Sequence, residues 1–171
     1  LARRTGDEIN AVRRELLFLE KKGILTREPR ANRVYYSLSK NYPFYFDLLR
    51  MGAKIAGLGA TILKNRVKIG KIKYAMFSGK FAKRLKNKQN EVDVLLVGTV
   101  VLPELALLIR EEEKRLNTEI NYTVMSEEEF GFRKKKRDPF ISSILLGSRI
   151  MMIGDEESML ETKVVLDFSC G

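Results

Sequence analysis

Along the first 41 positions, apolar residues recur at helical steps and then alternate. Ile9, Val12, Leu16 and Leu19 lie three or four residues apart, one face of a helix from about Asp7 to Lys22. Asp7 or Asn10 can cap its start, and Gly23 stands where a terminating glycine is expected. Ahead of it, Leu1–Arg4 reads as the end of a short helix broken at Thr5–Gly6. Two β-rich runs, Ile24–Glu28 and Arg33–Leu38, flank Pro29–Asn32 and predict a hairpin. Beyond Tyr42–Pro43, the residues Phe44, Leu48, Met51, Ile55, Leu58 and Ile62 recur at similar steps. They predict one long amphipathic helix, loosened at Gly57–Gly59.

The rest alternates strand and helix. Lys73–Gly98 reads as strand, turn, basic helix or loop, strand. Leu102–Leu116 is predicted as a helix, Thr118–Met125 as a strand, and Ser126 to Glu129 as a capping box opening another helix. Pro139–Leu146 is a further short helix and Ser148–Gly154 a last strand before a polar tail. The expectation is an α+β chain whose second half is a small mixed sheet with helices packed on it. Four segments follow: 1–41, a linker helix over 42–71 that is either the dimer interface or covered by its own chain, a sheet domain over 72–156, and a tail over 157–171.

Composition narrows the chemistry. With 32 Lys+Arg against 22 Asp+Glu the net charge is +10, which favours polyanionic partners without choosing among DNA, RNA and an acidic membrane surface. There is no His and one Cys, Cys170. A structural zinc site and Ser-His or Cys-His nucleophile pairs are thereby excluded, and a reducing, cytoplasmic setting is the simple expectation. No run approaches the ~18 residues of a membrane span. The densest charge, Arg133–Arg137, reads either as a solvated face or as a phosphate contact.

Two segments point to sites. In Glu91-Val92-Asp93 followed by Val94–Gly98, residues two apart on a strand share a face. The two carboxylates are then either side by side, able to hold a hard cation such as Mg2+ against a substrate phosphate, or solvated at the mouth of the strand. In the first segment, Asn10, Arg13 and Arg14 fall on one face of the Asp7–Lys22 helix, and Arg27, Arg30 and Arg33 surround the hairpin. Tyr35 and Tyr36 point to opposite faces of one strand, one for the core and one outward.

The wording L-A-R-R-T-G…V-R-R-E-L-x-x-L-E-K-K-G-I-L…Y-Y-x-L resembles winged helix-turn-helix transcriptional regulators over the first quarter of the chain. The resemblance implies that the Asp7–Lys22 helix enters the major groove, with Asn10, Arg13 and Arg14 against base edges or phosphates. It implies that Arg27, Arg30 and Arg33 reach the DNA backbone or minor groove from the wing. The usual first helix of such a domain is not found from Leu1 onward, so it is either missing or replaced by another element.

From about Ile72 to Gly154 the chain is similar to minimal nucleotidyltransferase-fold proteins, relatives of DNA polymerase beta. Where that family has Gly-Ser, this chain has Ser78-Gly79. Glu91 stands for the first metal-binding Asp, Asp93 matches the second, and Asn121 falls where a third carboxylate is expected. Glu119 lies two residues earlier as a substitute. The resemblance therefore implies a degenerate copy with Ser78, Gly79, Glu91 and Asp93 as remnants. The combined expectation is a regulator that binds double-stranded DNA as a homodimer, with no cofactor expected and with the second domain dimerising or sensing a nucleotide effector. The alternative is an Mg2+-dependent nucleotidyltransferase acting on a protein, RNA or small molecule, with Glu91, Asp93 and Glu119 holding metal.

Overall fold

The computed structural model describes residues 9–85 and 91–161. The expectations for Leu1–Gly6, for an Asp7 cap, for the basic segment 86–90 and for Cys170 lie outside them. The chain is α+β and divides into two compact units, residues 1–48 and 49–171.

In the first unit, helix α1 (Ile9–Lys21) is followed by strands β1 (Leu25–Arg30) and β2 (Arg33–Leu38). Gly23 ends α1 at φ +71°, with Gly23 N–H donating to Glu20 O and Ile24 N–H to Leu19 O. These two bonds satisfy carbonyls the helix leaves over, and the left-handed backbone explains the glycine. The hairpin is in full register from Leu25↔Leu38 to Arg30↔Arg33. Its loop is shorter than the predicted Pro29–Asn32. Pro29 belongs to β1, where an edge strand tolerates a missing donor, and the reversal is made by Ala31, at φ +47°, and Asn32.

The single helix expected over 42–71 is two. Helix α2 (Tyr45–Ile55) stops before Ala56, which is extended, and α3 (Gly57–Lys64) starts anew. Gly57 at φ +61° makes the reversal, and Gly59 is pressed so closely on α2 that a Cβ would lie 1.8 Å from Ala53 O. The apolar period ran through the break because both helices bury apolar residues in one core. Leu58 and Ile62 of α3, with Leu49 and Ala53 of α2, pack there, so residues 49–71 belong to the second unit instead of standing apart as a linker.

The sheet of the second unit has the order β5-β4-β3-β6. Strands β3 (Gly70–Ser78), β4 (Val94–Val100), β5 (Tyr122–Met125) and β6 (Arg149–Ile153) alternate with helices. β3 pairs antiparallel with β4 and β6, while β4 and β5 are parallel. The helices are α4 (Gly79–Ala82), α5 (Leu102–Leu116), α6 (Glu127–Lys135), α7 (Pro139–Leu146) and α8 (Glu156–Leu160). Successive residues of β3 and β4 enter opposite cores. Ala75, Phe77, Val94 and Leu96 meet Leu58, Ile62, Leu105 and Ile109, while Tyr74, Met76, Leu95 and Val97 meet Phe130, Ile141 and Met159. A sheet covered on both faces explains why β4 opens with an unbroken apolar run, Val94–Val97.

Three further expectations change. The strand predicted over Thr118–Met125 is confined to Tyr122–Met125. The tail predicted from residue 157 begins as α8, capped by Asp155, because Met159 is completely buried in the second core. Ser126 does cap α6 through Glu129 N–H, but the Glu129 carboxylate turns to Arg133, so only half of the capping box forms.

Candidate functional site

Asn10, Arg13 and Arg14 are all exposed on the first two turns of α1. Their spacing of three and four residues puts Asn10 beside both arginines on one surface. Val12, Leu16 and Leu19 are half-buried, and α1 packs against β1.

The hairpin separates its three arginines. Cross-strand partners share a face, so Arg30, paired with Arg33, lies with Glu28 and Tyr35 on an exposed face. Arg27, opposite Tyr36, shares the other face with half-buried Tyr36 and Leu38. The expected set of three thus reduces to two at the tip. Arg30 is engaged by Glu28 through two bonds of 2.9 Å and lies 5.5 Å over the Tyr35 ring. Tyr36 is half-buried and Tyr35 exposed, the division their alternation predicted.

In the second unit, one end of the sheet gathers the remaining residues. Ser78 N–H donates to Asp93 O at 2.8 Å, and Asp93 N–H donates to Asn121 O at 2.7 Å. The Asp93 side chain is buried and its Oδ2 accepts from Asn121 N–H at 2.9 Å. Glu91 accepts two bonds from Lys80 Nζ, at 2.7 and 2.6 Å. Glu91 and Asp93 precede β4, in a bend, so the two-residue strand period does not apply and they meet different neighbours. Glu119 is exposed and lies outside β5, next to buried Ile120. Asn121 contributes its backbone to Asp93. Among the described residues, no three Asp, Glu, His or Cys side chains gather where a metal ion could be held.

Ser78 and Gly79 have local work. Ser78 Oγ accepts from Phe81 N–H at 3.1 Å as the cap of α4. Gly79 donates to Ser148 O at 2.6 Å, and a Cβ on it would lie 2.0 Å from Ser148 Oγ. Neither Lys80, Ser148 nor Arg149 was singled out from sequence. Arg149 pairs in register with Ser78; its side chain is 7% exposed and binds Glu156 and the carbonyls of Leu145 and Gly147. Nothing in the local wording marks an arginine at a strand start as a clamp on the preceding helix end.

The basic run Arg133–Arg137 is partly tied down. Arg133 pairs with Glu129, Lys134 donates to Met159 O, and Lys136 lies over Phe132. Desolvation pulls the Lys134 ammonium below its ordinary pKa. Among the described residues, no helix is long and apolar enough to cross a membrane. Comparisons of the chain with protein-family models, curated proteins and solved structures find no match.

Proposed function

We propose that the chain is a DNA-binding transcriptional regulator of winged-helix type, in which α1 enters the major groove and the β1–β2 hairpin acts as the wing. The observation that carries this reading is the surface of α1: Asn10, Arg13 and Arg14 stand exposed together, directly ahead of a hairpin whose tip carries Arg30 and Arg33. Arginine and asparagine are the side chains that read guanine and adenine edges with paired hydrogen bonds. Arg30 would exchange Glu28 for a phosphate, and Arg27 contributes less because it lies on the half-buried face.

The second unit is read as a nucleotidyltransferase-like module that dimerises or senses a nucleotide. Support comes from Ser78, Asp93 and Asn121 meeting at one sheet end, and from exposed Met51 and Ile55 as an apolar stripe for a second copy. Mg2+-dependent nucleotidyl transfer has less support, since the Glu91 and Asp93 carboxylates are engaged by Lys80 and the Asn121 amide, and Glu119 lies exposed outside β5.

The test is fluorescence anisotropy of a labelled duplex at two salt concentrations, with the wild type and an Arg13→Ala, Arg14→Ala variant. Loss of the two arginines is expected to weaken binding, and where both meet phosphates to lower the slope of log affinity against log salt by about 2. Unchanged affinity and slope in the variant would overturn the reading.

A further inference from the structure

The positive charge of this chain is not spread evenly. Residues 49–90 contain twelve Lys and Arg and no Asp or Glu. The rest of the chain has 20 basic against 22 acidic residues, so this one segment carries more than the whole net charge of +10. It belongs to the second unit, whereas the α1 residues invoked above belong to the first.

Part of that segment lines a groove of about 510 Å³. The turn after α3 contributes Arg66 and Val67, the start of β3 contributes Lys71 and Lys73, Ile153 lies at the end of β6, and Glu127 opens α6. Lys71 and Lys73 are both exposed on either side of the half-buried Ile72, where the register of β3 against β4 shifts between Ile72 and Tyr74. Glu127, the one acidic lining residue, is bound to Lys73 at 2.7 Å. Arg66, Lys68 and Lys71 make no ion pair among the described residues.

We infer that this groove is a second nucleic-acid contact, taking the phosphate backbone of a duplex through Arg66, Lys71 and Lys73. Concentrated cations with no acidic counterpart in their own segment attract a polyanion and release its counterions. An anionic membrane surface shares the phosphate chemistry. Stable interfacial binding, however, uses an apolar face inserted beside the charges, and Val67 is the one exposed apolar residue among those lining the groove.

The experiment uses the full chain and a random-sequence labelled duplex, titrated at about 50 and about 200 mM salt. The groove variant is Arg66→Gln, Lys71→Gln. A control variant, Arg110→Gln, Lys114→Gln, changes net charge equally at exposed positions outside the groove. Circular dichroism verifies that both remain folded. The groove variant is expected to lose about 2 from the salt slope, so that the affinity ratio between the two salts falls roughly tenfold, while the control keeps the wild-type slope. An unchanged slope in the groove variant, an equal loss in the control, or a wild type that does not bind duplex overturns the inference. So does loss of binding to phosphatidylserine vesicles with duplex binding intact, which would assign the groove to lipid. The Arg13→Ala, Arg14→Ala variant separates this from the α1 reading: each pair of substitutions can abolish its own share of the slope while the other remains.

Discussion

Glu112 should hold the start of α3 in place from 54 residues away in sequence, and only in its ionised form. Ala56, at the cap position of α3, offers no side-chain acceptor. The Glu112 carboxylate lies beside that end, its Oε1 2.9 Å from where a Cβ on Gly57 would stand, with the Leu58 backbone among the groups that lower its pKa, and it accepts from Arg115, whose Nε lies at 2.7 Å. Its side chain is 9% exposed. A hydrogen bond to a charged group contributes ~1.5–3 kcal/mol, and breaking a buried pair costs ~3–5 kcal/mol. The Arg115 side chain is 31% exposed and can turn to water, so Glu112→Ala is expected to cost ~2–3 kcal/mol. Glu112→Gln keeps the shape of the side chain and loses the charge that Arg115 binds, for ~1–2 kcal/mol. The hydrogen bond from Arg115 holds the Glu112 carboxyl below its ordinary value of 4.5. A depressed folded-state pKa means that this contribution is complete above the ordinary value and disappears as pH falls through the folded one. Urea titrations followed by far-UV circular dichroism, from about pH 7 to about pH 2, compare wild type with Glu112→Gln at equal m. The gap between them should close on acidification. A gap that persists at low pH, or that is absent at neutral pH, would refute the role.

Other substitutions test the remaining contacts. Gly59→Ala places a Cβ 1.8 Å from Ala53 O and 2.9 Å from Met152 Sδ; a thermal melt should show a loss of ~3 kcal/mol, since the nearest atom is backbone. Ser78→Ala removes the α4 cap, and the urea midpoint should fall by the equivalent of ~1 kcal/mol. Ala31→Gly relieves a non-glycine residue at φ +47°; it should stabilise the hairpin by ~0.5–1 kcal/mol, read as slower amide exchange at β1 and β2. Lys73→Ala breaks an ion pair with both side chains about half exposed, and stability should change by less than ~0.5 kcal/mol.

Several elements were set by neighbouring residues and were therefore legible in the sequence. Gly23 terminates α1, Pro139 opens α7, and the apolar run of β4 announces a strand. Each signal acts within one turn or one strand. Helical spacing alone also brings Asn10, Arg13 and Arg14 together on α1, whereas a role for them on DNA came only from the resemblance to winged-helix regulators. What needed the tertiary structure depends on residues far apart. The helix over 42–71 breaks where Gly59 can press on Ala53 O, and α8 forms where Met159 fills the second core. Arg27 and Arg30 part company through the hairpin register. The carboxylates of Glu91, Asp93 and Glu119 are divided by hydrogen bonds from Lys80 and Asn121, and by a β5 strand that starts too late to include Glu119. Spacing along a chain gives the direction of a side chain only while the backbone keeps one period, and at each of these places packing or register changes it.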